Sequence, residues 1–242
     1  MLVIVVLKLI THYLNWEFLE LSSLFTALVS ANIFLIGFLI SGVLSDYKES
    51  ERLPGDLACS LEAIVDECSI LYEQKKSPAA KNCILHVHDL TESLIAWFHK
   101  QERTTAVMEK ITGLNQFFLQ FEPLTQANFI VRMKQEQNLI RRIITRIHTI
   151  RETDFNEGGY TIAEIITITL SVGLLFIQID PFYESIFFIG FVSFILIYML
   201  LLIKDLDNPF SHFDDTSLTQ AVSLKPIVDL EYRLTELKAK IE

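Results

Sequence analysis

The chain has 242 residues, 51% of them hydrophobic, a formal net charge of -10 and a mean hydropathy of +0.38. A soluble domain of this size seldom averages so apolar, so part of the chain needs lipid as its solvent. The acidic balance speaks against a nucleic-acid partner, which needs clustered Lys and Arg; Arg141, Arg142 and Arg146 do cluster, but Glu136, Glu152 and Asp154 flank them and mark a solvated helix face.

The apolar excess is uneven. It sits in residues 1–45 and 159–204, while 46–158 and the tail 205–242 have an ordinary charged composition. The start MLVIVVLKLITHY lacks a basic leader and a small-residue cleavage site, so it is not read as a cleaved signal peptide. Residues 2–14 are apolar but short, and Lys8 and His12 interrupt them. About 13 residues at 1.5 Å each reach only about 20 Å, less than the roughly 30 Å hydrocarbon core. Two readings of this segment stand. It runs through Asn15-Trp16-Glu17 into the next span as a strained hairpin, or it lies in the interface with Lys8 snorkelling and Trp16 at headgroup level.

Leu21–Leu44 carries no charge and is the first secure span. Ser30, Phe34, Gly37, Phe38, Ser41 and Ser45 follow one another at three- and four-residue spacing, which puts them on one helical face. Copies of that face around an axis would line a pore, with Phe34 and Phe38 as an apolar constriction. The same small residues also suit close helix packing, and both readings remain open.

Three or four helices are predicted between Asp46 and Gly158. Asp56–Glu73 repeats apolar residues at helical spacing through Leu57, Leu61, Ile64, Val65, Cys68 and Leu71. Lys75–Pro78 breaks the pattern, which resumes over Ala79–Phe118 with an interruption expected near Gly113. Pro123 opens a last helix with Leu139, Ile143, Ile144, Ile147 and Ile150 on one face. The three cysteines, Cys59, Cys68 and Cys83, form no CxxC pair and read as free thiols in a reducing compartment. His86 and His88, two apart on a helix, point to different sides and make a poor metal pair. No phosphate loop, nucleophile elbow or HExxH is present, so nothing argues for an enzyme, and no cofactor is implied.

Tyr160–Ile179 and Ile186–Ile203 are the second and third secure spans, joined by a tight turn at Asp180-Pro181. Glu164 is the one acid within a span, a position that suits a conduction path or a helix N-terminus. No Lys or Arg occurs between Arg151 and Lys204, whereas Lys48, Arg52, Arg151 and Lys204 flank the spans on the other side. The positive-inside rule then puts 46–158 and the C-terminal tail in the cytoplasm. The last span ends in Asp205-Leu206-Asp207-Asn208-Pro209-Phe210-Ser211, followed by Asp214-Asp215. Asp207, Asn208, Pro209 and Phe210 form a structural turn, with Phe210 as an anchor for the tail. Val228–Ile241 is amphipathic through Val228, Leu230, Leu234, Leu237 and Ile241.

Two of these stretches resemble the bestrophin family of ion channels, and more closely the smaller bestrophin-like domain proteins. One is Asp207-Asn208-Pro209-Phe210 with the acids after it. The other is Phe34-Leu35-Ile36-Gly37-Phe38 running into Asp46-Tyr47-Lys48-Glu49-Ser50-Glu51-Arg52-Leu53-Pro54. The order of membrane and polar segments is similar too. The resemblance implies a pentameric channel passing inorganic ions, with the 21–45 helix lining the pore. Ser211 stands where the family has glycine, and Asp214-Asp215 is a short acidic run. These are weak candidates for a calcium site, because calcium takes six to eight oxygens.

The reading is an all-α integral membrane protein with three to four membrane helices and a cytoplasmic helical bundle. It is a homo-oligomer in a plasma membrane, the bacterial inner membrane by preference. The function expected is passive ion conduction; the alternative is a membrane-anchored protein-interaction module that conducts nothing.

Overall fold

The computed structural model describes residues 2–152, 157–207, 209–210 and 222–241. Eight helices occur among them: α1 Leu2–Tyr13, α2 Ser23–Lys75, α3 Pro78–Phe98, α4 Thr104–Phe121, α5 Ala127–Glu152, α6 Glu157–Leu175, α7 Phe182–Asp207 and α8 Lys225–Ile241. Two short strands, β1 Leu19–Glu20 and β2 Ile177–Gln178, pair in parallel. The chain divides into two compact units, one of residues 1–46 and 154–207, the other of 47–153 and 208–242. Helix α2 contributes to both.

The first unit is the membrane unit. α2, α6 and α7 are long and apolar enough to cross a bilayer. α2 turns Asn32, Ile36, Leu39 and Val43 inward, all buried at helical spacing. Asn32 Nδ2 donates to Thr167 Oγ1 of α6 at 2.9 Å, a buried polar tie of the kind that joins helices in lipid. Higher on the same contact, the position a Cβ would take on Gly173 lies 3.1 Å from the Phe25 ring, so glycine lets α6 approach.

α1 stops at Tyr13, and the chain turns at Asn15 on its way to α2. Asn15 takes a left-handed conformation (φ 54°), Trp16 N–H donates to Thr11 O at 2.9 Å and Asn15 N–H to His12 O at 3.1 Å. That is the paired bonding of a Schellman stop, with asparagine in the position usually held by glycine. α1 packs on α6 and α7, and its His12 ring stacks on Phe182 at 3.6 Å. Lys8 does not snorkel. It is 1% exposed and ion-paired within the unit.

The second unit is a bundle of the end of α2 with α3, α4, α5 and α8. Its core runs through Leu57, Leu61 and Ile64 of α2, Val87, Leu90 and Leu94 of α3, Ile111 and Leu114 of α4, and Ile140, Ile144 and Ile147 of α5. The three- and four-residue spacing in each helix is what one buried stripe requires. Leu139, expected inside, is 41% exposed; Ile140 takes the core position one residue on.

Three boundaries differ from the sequence reading. α2 runs unbroken through Pro54, although proline removes one backbone donor at a cost of about 3 kcal/mol. Leu53, Leu57, Ala58 and Leu61 are all buried around it, and several apolar side chains outweigh one lost bond. The break after α3 falls at 99–103, not near Gly113. There Lys100 is left-handed (φ 58°), Gln101 N–H donates to Ala96 O and Lys100 N–H to Trp97 O. Gly113 stays helical and makes room: a Cβ there would come 3.1 Å from the His86 ring. α5 begins at Ala127 rather than at Pro123.

Candidate pore-lining face

All six stripe residues of α2, Ser30, Phe34, Gly37, Phe38, Ser41 and Ser45, are exposed. Phe34 is 78% exposed and Phe38 65%. A Cβ on Gly37 would meet nothing within 4 Å. The stripe therefore does no packing against the other described residues. It lies opposite the buried row of Asn32, Ile36, Leu39 and Val43. From Ser30 to Ser45 it extends about 22 Å along the helix, most of a bilayer core. The Ser30 hydroxyl is satisfied by Thr26 O at 2.9 Å, so it sits on this face without needing water.

The outward face of α2 thus consists of three serines, a glycine and two phenylalanines, with no packing partner among the described residues.

Glu164 is also exposed and sits about 10 Å into α6, which starts at Glu157. It enters no hydrogen bond or ion pair among the described residues.

The last span closes with Asp207 Oδ1 accepting from the Tyr160 hydroxyl at 2.7 Å, a tie between the ends of α6 and α7. Asn208, Ser211, Asp214 and Asp215 lie outside the described residues. In the bundle, Phe210 is fully buried with its ring 6.0 Å from Phe98, and Pro209 O accepts from Val222 N–H at 3.3 Å.

Of the charges after the first span, Glu49 is held by Arg146 through two bonds, 2.9 Å to Oε1 and 2.6 Å to Oε2. Arg146 keeps its carboxyl below the usual value, against the opposing effect of burial. Arg141 donates to Thr112 Oγ1 at 2.8 Å. The arginine group of α5 thus serves helix contacts. The cysteines are free thiols; Cys83 is buried against Cys68, whose hydrogen bond raises its thiol pKa well above the ordinary value, with burial adding to this. Such thiols are inert.

Sequence reasoning missed one charged network. Lys8 Nζ contacts Glu17 Oε1 at 2.6 Å and donates to the carbonyls of Ile177 at 2.6 Å and Leu175 at 3.2 Å. His12 Nδ1 lies 2.8 Å from Glu17 Oε2. Burial works to raise the Glu17 carboxyl; the bonds from Lys8 and His12 outweigh it and hold it low. The signal available was a lysine in an apolar helix, with its acid hidden beyond a turn.

No protein-family model matches the chain, and no curated protein matches it. Solved structures do. A variant of a bacterial bestrophin homologue from Klebsiella pneumoniae superposes with a TM-score of 0.82 at 16% identity, covering 98% of this chain and 97% of that one. Another structure of a bestrophin homologue from that organism gives 0.82 at 14%, with the same coverage. The chain has the bestrophin fold. A variant of a membrane protein also matches at 0.82 and 15% identity, over 98% of this chain and 96% of that one. Within the bestrophin fold the exposed α2 stripe and the buried Phe210 are features of this chain's own residues, carried at an identity too low to transfer function by itself.

Proposed function

We propose that the protein is a bestrophin-type ion channel: a homo-oligomer, pentameric as the family resemblance implies, that passes inorganic ions passively along a path lined by the α2 face Ser30–Ser45. The observation that carries this is the exposure of that whole face in a helix that must cross lipid. Phe34 and Phe38 would form the narrowest part and gate by wetting and dewetting. Copies of Asp46 and Glu51 beyond the span favour cations, and Lys48 and Arg52 oppose them. Glu49 is removed from that balance by Arg146.

The arrangement of Lys and Arg supports a plasma membrane, the bacterial inner membrane by preference, with the bundle and tail in the cytoplasm. Mass measurement in detergent followed by ion flux from liposomes tests the proposal. A ring-sized assembly with flux altered by Phe34→Ala or Phe38→Asp is expected. A monomer without flux would leave the non-conducting interaction module as the function.

A further inference from the structure

At one end of the bundle a cavity of about 390 Å³ is bounded by the end of α3, the start of α4 and the last turn of α5. Small-ligand sites measure about 300–1,000 Å³. Its apolar lining is Trp97, 2% exposed, and fully buried Phe210. Its charged lining is three cations, Lys100, Arg103 and Arg151, and two carboxylates, Glu102 and Glu152, a net charge of +1 from these five.

We propose that this cavity binds the phosphodiester of a phospholipid headgroup. The proposal rests on the membrane-spanning helices and is independent of ion conduction. The donors, first, are held in place. The Arg151 guanidinium lies over the Trp97 ring, 5.1 Å from its centroid, and donates to Trp97 O at 3.2 Å. A guanidinium fixed in this way offers a planar fork of N–H donors that matches phosphate oxygens. Trp97 Nε1 donates to Thr104 Oγ1 at 2.9 Å, and the Thr104 hydroxyl donates to nothing among the described residues, so its proton is available to an acceptor. Arg103 enters no hydrogen bond or ion pair among the described residues. The loop that carries it is fixed to α3 by the N–H groups of Lys100 and Gln101, at 3.0 Å to Trp97 O and 2.9 Å to Ala96 O.

The charges also match. Glu102 already accepts from the Ser93 hydroxyl, and Glu152 is 65% exposed, where water screens it. A phosphodiester carries one negative charge, which the net charge of the lining cancels, whereas a phosphate monoester carries about 1.5–2 near pH 7. Chain connectivity then names the source. Arg151 precedes the first residue of α6, Glu157, by six residues, and Phe210 follows the last residue of α7, Asp207, by three. At most about 3.6 Å per residue, these links span no more than about 22 Å and about 11 Å. Both helices cross the bilayer, so its headgroups are the nearest phosphodiesters. Basic pockets beside membrane helices bind phospholipid heads in this way.

The test uses the full chain with Trp16→Phe, in maltoside detergent and stripped of lipid, so that Trp97 is the only tryptophan. Its emission is followed as phosphatidylglycerol is added in mixed micelles, and native mass spectrometry counts the lipid. A saturable change and one lipid per chain are expected, with no change on adding diacylglycerol, which lacks the phosphate. The deacylated headgroup glycerophosphoglycerol should bind more than about tenfold more weakly, because it gains nothing from acyl chains in an apolar phase. Arg103→Ala and Lys100→Gly should each weaken lipid binding about fivefold. Neither endangers folding: Arg103 is exposed, and Lys100 is left-handed (φ 58°), a conformation that glycine adopts freely. Lys240→Ala, which removes an exposed cation outside the lining, should leave binding unchanged. No bound lipid and no saturable change would overturn the proposal. So would native affinity in both Arg103→Ala and Lys100→Gly, and so would equal affinity for the lipid and for glycerophosphoglycerol.

Discussion

Replacing Glu17 by glutamine should cost the membrane unit more stability than any other single charge removal in it. The Lys8 side chain is 1% exposed and the Glu17 side chain 12%, with 2.6 Å between Nζ and Oε1. Without the carboxylate, the ammonium keeps only the carbonyls of Leu175 and Ile177, dipoles in place of a full charge. Breaking a buried pair on one side costs about 3–5 kcal/mol, because the remaining charge stays desolvated. Glu17→Gln and Lys8→Met should each destabilise, Glu17→Gln by about 3 kcal/mol or more. Removing both charges at once, Lys8→Met with Glu17→Leu, should recover most of that, because replacing a buried pair by apolar groups is often neutral. The assay is equilibrium unfolding in mixed micelles over the full double-mutant cycle. The coupling should exceed about 2 kcal/mol, well above the roughly 0.5 kcal/mol found for independent sites. Additive effects, or a Glu17→Gln loss below about 0.5 kcal/mol, would refute the account of Lys8 as a buried, paired cation.

Three further outcomes follow from the structure. Phe210→Ala should destabilise the bundle by about 3–5 kcal/mol, the range for emptying a phenylalanine site, seen as a lowered melting temperature; an unchanged melt would remove its role as an anchor. Glu164→Gln should shift the reversal potential of reconstituted protein in an ion gradient, and an unmoved potential would take Glu164 off the path. The Glu49–Arg146 pair has a depressed carboxyl pKa, so its contribution is present above the ordinary value of 4.5 and fades as pH falls through the lower native value. Because both side chains are more than a third exposed, Glu49→Gln should cost less than about 1 kcal/mol near pH 7. The difference should shrink as pH falls below that native value; a gap that does not change with pH would contradict the pairing.

The membrane helices were legible because uninterrupted apolar runs of that length have one solvent that suits them. The face of α2 was legible from spacing alone, but which way it points was not. Period fixes which residues share a side, whereas only the buried row of Asn32, Ile36, Leu39 and Val43 shows the stripe to be the outward one. The stop at Lys100 was hidden because lysine occupies a left-handed position where glycine is the usual marker. Gly113 misled for the converse reason: it is glycine to admit His86, not to end a helix. Lys8 and Glu17 were both visible, yet pairing them required the asparagine turn that brings the chain back.

Cysteine modification of the α2 stripe tests conduction along that face most directly. Ser41→Cys, in a chain whose exposed Cys59 is replaced by serine, would be reconstituted in a planar bilayer and treated with a charged, water-soluble thiol reagent. The buried Cys68 and Cys83 serve as a silent background. The account predicts a measurable ion current that falls sharply on modification at Ser41 and does not change when cysteine is placed instead at exposed Phe187 of α7. Absence of current, or a current that modification at Ser41 leaves intact, would contradict it.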